Sequence, residues 1–177
     1  MAWHDRAVTN SAVPNYERAF GEHPAVYAAW QQLNAAIKAG MDLRRYELAT
    51  LAAAQALRSS YCSLAHGKLL AEQFGEPVED IVRDRRAAGL SEIDVAVMDF
   101  AELVARDAAS VTESDRDRLR ELGVSDREIG DVALAAAARC FFSKLLDGVG
   151  ARPDASFRAL PAALLDVLVV GAPIADE

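Results

Sequence analysis

"LRRYELATLAAAQALRSSYCSLAHGKLL", residues 43–70, reads as two helices with one break between them. Asp42 precedes it and suits the N-cap, where a side-chain oxygen accepts one of the free N–H groups of a helix start. Leu48, Leu51, Ala52 and Ala56 then recur at helical spacing. Ser59 and Ser60 interrupt that stripe, and serine at such a point signals a new start. The second helix is predicted over 60–74, with Gly75 and Pro77 ending it.

The flanking sequence continues in kind. "SAVPNYERAF", 11–20, holds a short helix, and Pro24 is placed to open the next, where its missing N–H costs nothing. Val26, Trp30, Leu33 and Ile37 form that helix's stripe and Gly40 ends it. Residues 77–87 are charged and predict a short exposed helix. After the turn at 89–91 a strong helix buries Ile93, Val97, Phe100, Ala101 and Val104. Thr112 with Asp115 caps a small helix within 110–123, and Ser125 with Glu128 makes a capping box before a long helix over 126–147. That helix carries Ile129, Val132, Ala136, Cys140, Phe141 and Leu145.

No strand alternation and no glycine-rich phosphate loop occurs, so the fold class is all-α, a single domain over 1–177 with its core at about 24–150. The tail, 151–177, contains "AALLDVLVVGAPI", an apolar run that needs cover, and a neighbouring subunit is the expected cover.

With 177 residues, 52% of them hydrophobic and 26% charged, the chain is globular and can bury a core. Only 7% are aromatic, which suits alanine-rich helices packed closely. The net charge of −8 argues against nucleic acid and anionic membranes as partners. "MAWHDRAVTN" has no apolar signal region, and Asp166 interrupts the longest apolar run, which is too short to span a bilayer. Two cysteines in such a sequence read as reduced thiols, and the expected location is cytoplasmic.

Cys62 falls in the first turn of the 60–74 helix, where free N–H groups and the positive end of the dipole favour a thiolate, the nucleophilic form. His66, four residues on, shares its face and can carry a proton to or from the sulfur. Tyr61 adds a hydroxyl beside the site, and Glu47 on the preceding helix can hold the histidine's tautomer. Each has a plainer reading. A lone cysteine is usually a small core residue, a lone histidine a satisfied core group, and a glutamate after two arginines a surface ion-pair partner. Cys140, between four alanines and two phenylalanines, reads as core. Cys62, His66 and Glu47 as three zinc ligands is a weaker reading, because no second ligand cluster supports it.

Glu47, eleven residues, Ser59, two residues, Cys62, three residues, His66 resembles the signature of the alkylhydroperoxidase D-like (AhpD-like) proteins of the carboxymuconolactone decarboxylase superfamily. The segment from "RAAGLSEIDVAVMDF" onward resembles the peroxidase-related branch, and the likeness covers roughly 30–154. The resemblance implies an AhpD-like helical bundle assembled as trimers or hexamers. It implies reduction of hydroperoxides through a Cys-x-x-Cys pair, with Glu47 and His66 as the proton relay and a thiol or dithiol partner as reductant. Nothing legible in the sequence requires a cofactor or a metal.

Ser59 departs from the pattern by standing where the family has its first cysteine. The disulfide cycle within the motif is therefore closed. Cys62 would work alone through a sulfenic acid, or Cys140 would resolve it, or the peroxidase chemistry is lost. Ser59 would hydrogen-bond the sulfur or cap the helix. The leading expectation is a single-cysteine peroxidase with Cys62, His66 and Glu47 catalytic and Ser59 and Tyr61 supporting. The alternatives are an acid–base decarboxylase-like enzyme, using Arg44, Arg45 or Arg58 for a substrate carboxylate, and a non-catalytic oligomeric scaffold.

Overall fold

The structure, a computed structural model, describes residues 13–176; His4 and the rest of the opening segment lie outside them. Asp42 Oδ1 accepts the Arg45 N–H at 2.9 Å and starts α3, Leu43–Ala56. Before it come α1, Asn15–Phe20, and α2, Pro24–Ala39. After the break follow α4, Ser60–Phe74, α5, Val78–Asp84, and α6, Glu92–Asp107. The chain continues with α7, Glu113–Glu121, α8, Asp126–Gly148, and α9, Ala162–Leu168, and the described residues contain no strand.

The centre of the bundle is α3. Every residue from Tyr46 to Ala54 on it is buried, because α4, α6 and α8 enclose it. Alanine at 49 and 52–54 lets these axes approach closely. The caps are those the sequence predicts: Thr112 with Asp115 and Ser125 with Glu128 both close capping boxes. Gly75 ends α4 at φ 67°, a left-handed position that glycine adopts without a Cβ clash.

Four expectations about burial change. On α2, Val26 and Leu33 are 46% and 49% exposed, whereas Trp30 and Ile37 are buried. Trp30 stacks on Phe142 with ring centroids 4.9 Å apart, and this contact sets the rotation of α2. Asn34 and Lys38 are thereby turned towards α3, where they bond Tyr46 and Glu47. On α8, Phe141 is 47% exposed and Phe142 takes the core position. This helix buries Ile129, Val132 and Ala136 towards α6 but Arg139, Phe142, Ser143 and Leu146 on another face, so one stripe does not describe it.

The third change is α5, which buries Val78 and Ile81 against α9 rather than standing exposed. The fourth is the tail. Its apolar run finds cover within its own chain: Leu164, Val167, Leu168 and Ile174 pack with Leu48, Leu51, Leu64 and Ile81. Leu168 lies on Gly67, where a Cβ would meet its Cδ1 at 2.6 Å, so only glycine lets α9 sit this close to α4. Beyond α9, the Gly171 N–H donates to Ser60 Oγ at 2.8 Å and ties the tail to the start of α4.

Candidate active site

Four helices deliver polar side chains to one buried corner. Tyr46 and Glu47 come from α3, Cys62 and His66 from α4, Asn34 and Lys38 from α2, and Arg139 from α8. Cys62 is the third residue of α4, within its first turn as its spacing predicts, and is 1% exposed. His66 lies one turn on, and Glu47 reaches it from the neighbouring helix; both are buried.

His66 Nδ1 hydrogen-bonds Glu47 Oε2. The other carboxylate oxygen, Oε1, accepts from Lys38 Nζ at 3.2 Å, and Lys38 Nζ also lies 4.8 Å from the Tyr46 ring centroid. Burial alone would raise the Glu47 carboxyl, but the hydrogen bonds and charges of His66 and Lys38 outweigh it and hold the group below its usual range. Burial first, then the Arg139 charge, pushes His66 down to about 4. The imidazole is therefore neutral near pH 7. A carboxylate can only accept, so the Nδ1 hydrogen points at Glu47 and the Nε2 lone pair is left free.

The sulfur has a different partner. Arg139 Nη1 donates to Cys62 Sγ at 3.4 Å, and Nη2 donates to the Tyr46 hydroxyl at 3.4 Å. That hydroxyl donates in turn to Asn34 Oδ1 at 2.6 Å. Among the described residues no hydrogen bond joins Cys62 directly to His66.

Of the predicted site residues, Glu47 and His66 meet, and Cys62 lies on the same helix as His66. Ser59 holds the N-cap position of α4, but its hydroxyl makes no capping bond, nor does it bond the sulfur. Tyr61 turns away from Cys62. Its hydroxyl donates to Asp154 and accepts the Tyr16 N–H at 3.3 Å, so it ties α1 to the segment after α8. Cys140 points its thiol at the Ala105 carbonyl of α6, 3.7 Å away, in a cluster separate from that of Cys62. Burial pushes the Cys140 thiol up.

Arg44 is held by Glu76 and Asp94, Arg45 by Asp94, and Arg58 by the Val170 carbonyl. Among the described residues no three His, Cys, Asp or Glu side chains converge as metal ligands. Surface clefts of about 540 and 440 Å³ lie along α6–α8 and α5–α6, lined by none of the site residues.

Lys38, Tyr46 and Arg139 were not singled out from sequence. Arg139 had a signal: it is the one charged residue in "ALAAAARCFF", 133–142, where an apolar helix face has to accommodate it.

Residues 24–102, which hold Glu47, Cys62 and His66, match the profile of the Carboxymuconolactone decarboxylase family. The chain resembles this family over that segment, which is under half of its length. Its fold is that of a solved alkylhydroperoxidase AhpD core, an uncharacterized peroxidase-related protein from Ralstonia eutropha JMP134. That structure is 25% identical, with a TM-score of 0.74 over 82% of this chain and 79% of the other. An uncharacterized peroxidase-related protein from Silicibacter sp. TM1040 has the same fold at 24% identity, with a TM-score of 0.75 over 83% and 80% of the two chains. A comparison with curated proteins finds no match. No helix among the described residues is long and apolar enough to cross a membrane.

Proposed function

We propose that this protein is a single-cysteine, thiol-dependent peroxidase that reduces hydrogen peroxide or small organic hydroperoxides. The observation that carries the reading is the buried Glu47–His66 pair one helical turn from a buried thiol. Cys62 sulfur attacks the terminal peroxide oxygen. An S–O bond forms, the O–O bond breaks, and the alkoxide leaves with the electron pair. One proton has to leave the thiol and one has to reach the alkoxide. His66 Nε2 relays a proton from solvent to the alkoxide, and the Glu47 carboxylate stabilises the transient imidazolium. The products are the Cys62 sulfenic acid and an alcohol, or water when the substrate is hydrogen peroxide.

Resolution comes from outside the chain. Ser59 offers no sulfur, and Cys140 faces α6. A small thiol or dithiol partner condenses with the sulfenic acid and releases water, and a second thiol equivalent regenerates Cys62. The reaction needs no cofactor or metal. A reducing compartment such as the cytoplasm would supply the thiol.

The proposal includes a homo-oligomer, a trimer or hexamer. Val26, Leu33, Leu134 and Phe141 leave large apolar side chains exposed on α2 and α8. A monomer in sedimentation at micromolar concentration would remove that part. No observation favours the acid–base reading, because Arg44, Arg45 and Arg58 are engaged away from Glu47 and His66.

The deciding experiment treats reduced protein with about one equivalent of hydroperoxide and follows intact mass, with Cys62→Ser alongside. The expected result is rapid gain of one oxygen, trappable as sulfenic acid and absent from the variant. Loss of two hydrogens would mean a disulfide and contradict the resolution step. No change over minutes would overturn the peroxidase reading.

A further inference from the structure

Arg139 is a buried cation without a carboxylate among the described residues. It is 5% exposed, and no carboxylate of the described residues lies within ion-pair distance of it. The carboxylate of the corner, Glu47, is committed to His66 and Lys38 through both oxygens. Among the described residues the Arg139 contacts are Cys62 Sγ, the Tyr46 hydroxyl and the face of Phe142, whose ring centroid lies 5.4 Å from the guanidinium carbon, and Nε has no partner.

Such a group cannot escape its charge. Arginine does not deprotonate in proteins, and an uncompensated buried ion costs several kcal/mol. A countercharge has to come from something it touches, and two of those groups carry an ionisable proton. Tyr46 keeps its proton, because its hydroxyl donates to Asn34 Oδ1 at 2.6 Å while accepting from Arg139. The sulfur remains.

We infer that Arg139 is the countercharge of the reacting sulfur: it holds Cys62 as the thiolate before any hydroperoxide arrives. The inference deepens the peroxidase reading and rests on it only for what the thiolate attacks. It divides the labour of the corner. Where a cysteine is commonly paired with a protonated histidine, His66 is here neutral, hydrogen-bonded to Glu47 and free to move protons. The charge that steadies sulfur comes from α8.

The same guanidinium serves the next step. As sulfur becomes a neutral sulfenic acid, the negative charge passes to the departing alkoxide beside it. Arg139 then faces that oxygen until a proton passed through His66 from solvent neutralises it. A motif with one thiol benefits in particular, since no second cysteine shares the activation.

The test uses the reduced full chain at neutral pH and the ultraviolet thiolate absorption band, read as wild type minus Cys62→Ser so that Cys140 cancels. The expected result is a band in wild type, lost in Arg139→Gln and largely kept in Arg139→Lys and Tyr46→Phe. Oxidation of Arg139→Gln by hydroperoxide should slow on the order of tenfold or more, with rescue by Arg139→Lys. A missing band in wild type would overturn the inference even if Arg139→Gln fails to fold, and so would an unchanged band in a folded Arg139→Gln. A band in wild type with no oxidation would instead sink the peroxidase reading and leave the ion pair standing.

Discussion

The corner where α3, α4 and α8 meet and the end where α7 turns into α8 both contain arginine and carboxylate, in opposite proportion to their surroundings. At the exposed end Arg120 has three carboxylates, Glu113, Asp117 at 2.6 Å and Asp126 at 2.7 Å. In the buried corner Arg139 has none among the described residues and faces a thiol. Water screens the first cluster, whose side chains are 37–77% exposed, so its many contacts add little. Desolvation magnifies the second, where one charge acts strongly on the groups it touches. The lesson is that the number of ion pairs does not locate chemistry; a charge whose usual partner is missing does.

The sharpest way to break this contrast is the proton relay. His66→Gln and Glu47→Gln should each slow hydroperoxide oxidation of Cys62 on the order of a thousandfold at pH 7. The check is the rate of sulfenic acid formation by rapid quench, with the wild-type fold confirmed by circular dichroism. If both variants oxidise at the wild-type rate, the buried pair is structural and the corner loses its functional meaning.

Next in size is the acid dependence of stability. His66 sits at about 4 in the folded chain, below the unfolded value of about 6.5. The unfolded state therefore binds the extra proton first. Stability from this group is present above pH 6.5 and is lost as pH falls towards 4, on the order of 3 kcal/mol in all. Glu47, whose carboxyl is held low, adds a loss in the same direction at still lower pH. Urea midpoints at pH 7 and pH 5 should differ clearly in wild type and much less in His66→Gln. An equal slope in both would place the acid sensitivity elsewhere.

Lys38 joins the two environments, since its stem is partly exposed while its ammonium touches buried Glu47. Lys38→Met removes one of the two groups that keep Glu47 ionised, and oxidation should fall by about tenfold, with His66 still in place. Added salt should weaken the wild-type rate only slightly, because the carboxylate end of the pair is shielded. A large salt effect would mean that the pair behaves like the α7 cluster.

What the sequence disclosed follows the same division between local and assembled features. Caps at Asp42, Thr112 and Ser125 were legible because donor and acceptor lie three residues apart. Cys62 and His66 were legible because they lie four residues apart at the start of one helix, and Glu47 only through the spacing of the signature that the segment resembles. Arg139 reaches Cys62 across 77 residues, and no local rule fixes which face of α8 turns inward. Trp30 against Phe142 decides that rotation, and with it the inward turn of Lys38 and Asn34. Tyr61 misled for the same reason. Adjacent residues on a helix point about 100° apart, so its place next to Cys62 in sequence sent its hydroxyl to Asp154 instead.

The smallest effect is expected where the contacts are most numerous. Arg120→Ala deletes every ion pair that guanidinium makes with Glu113, Asp117 and Asp126. The Thr112 and Ser125 capping boxes, which start α7 and α8, remain intact because they use Asp115 and Glu128 rather than the deleted partners. The urea midpoint should therefore hardly move at physiological salt, and the residual shift should vanish at high salt. Cys62 oxidation should be unchanged. A clear loss of stability that persists in high salt would show that this exposed network is mechanically coupled to α8, and the separation between the two ends of that helix would fail. An unmoved midpoint beside a slowed Arg139→Gln would instead locate the functional charge of α8 at its buried middle.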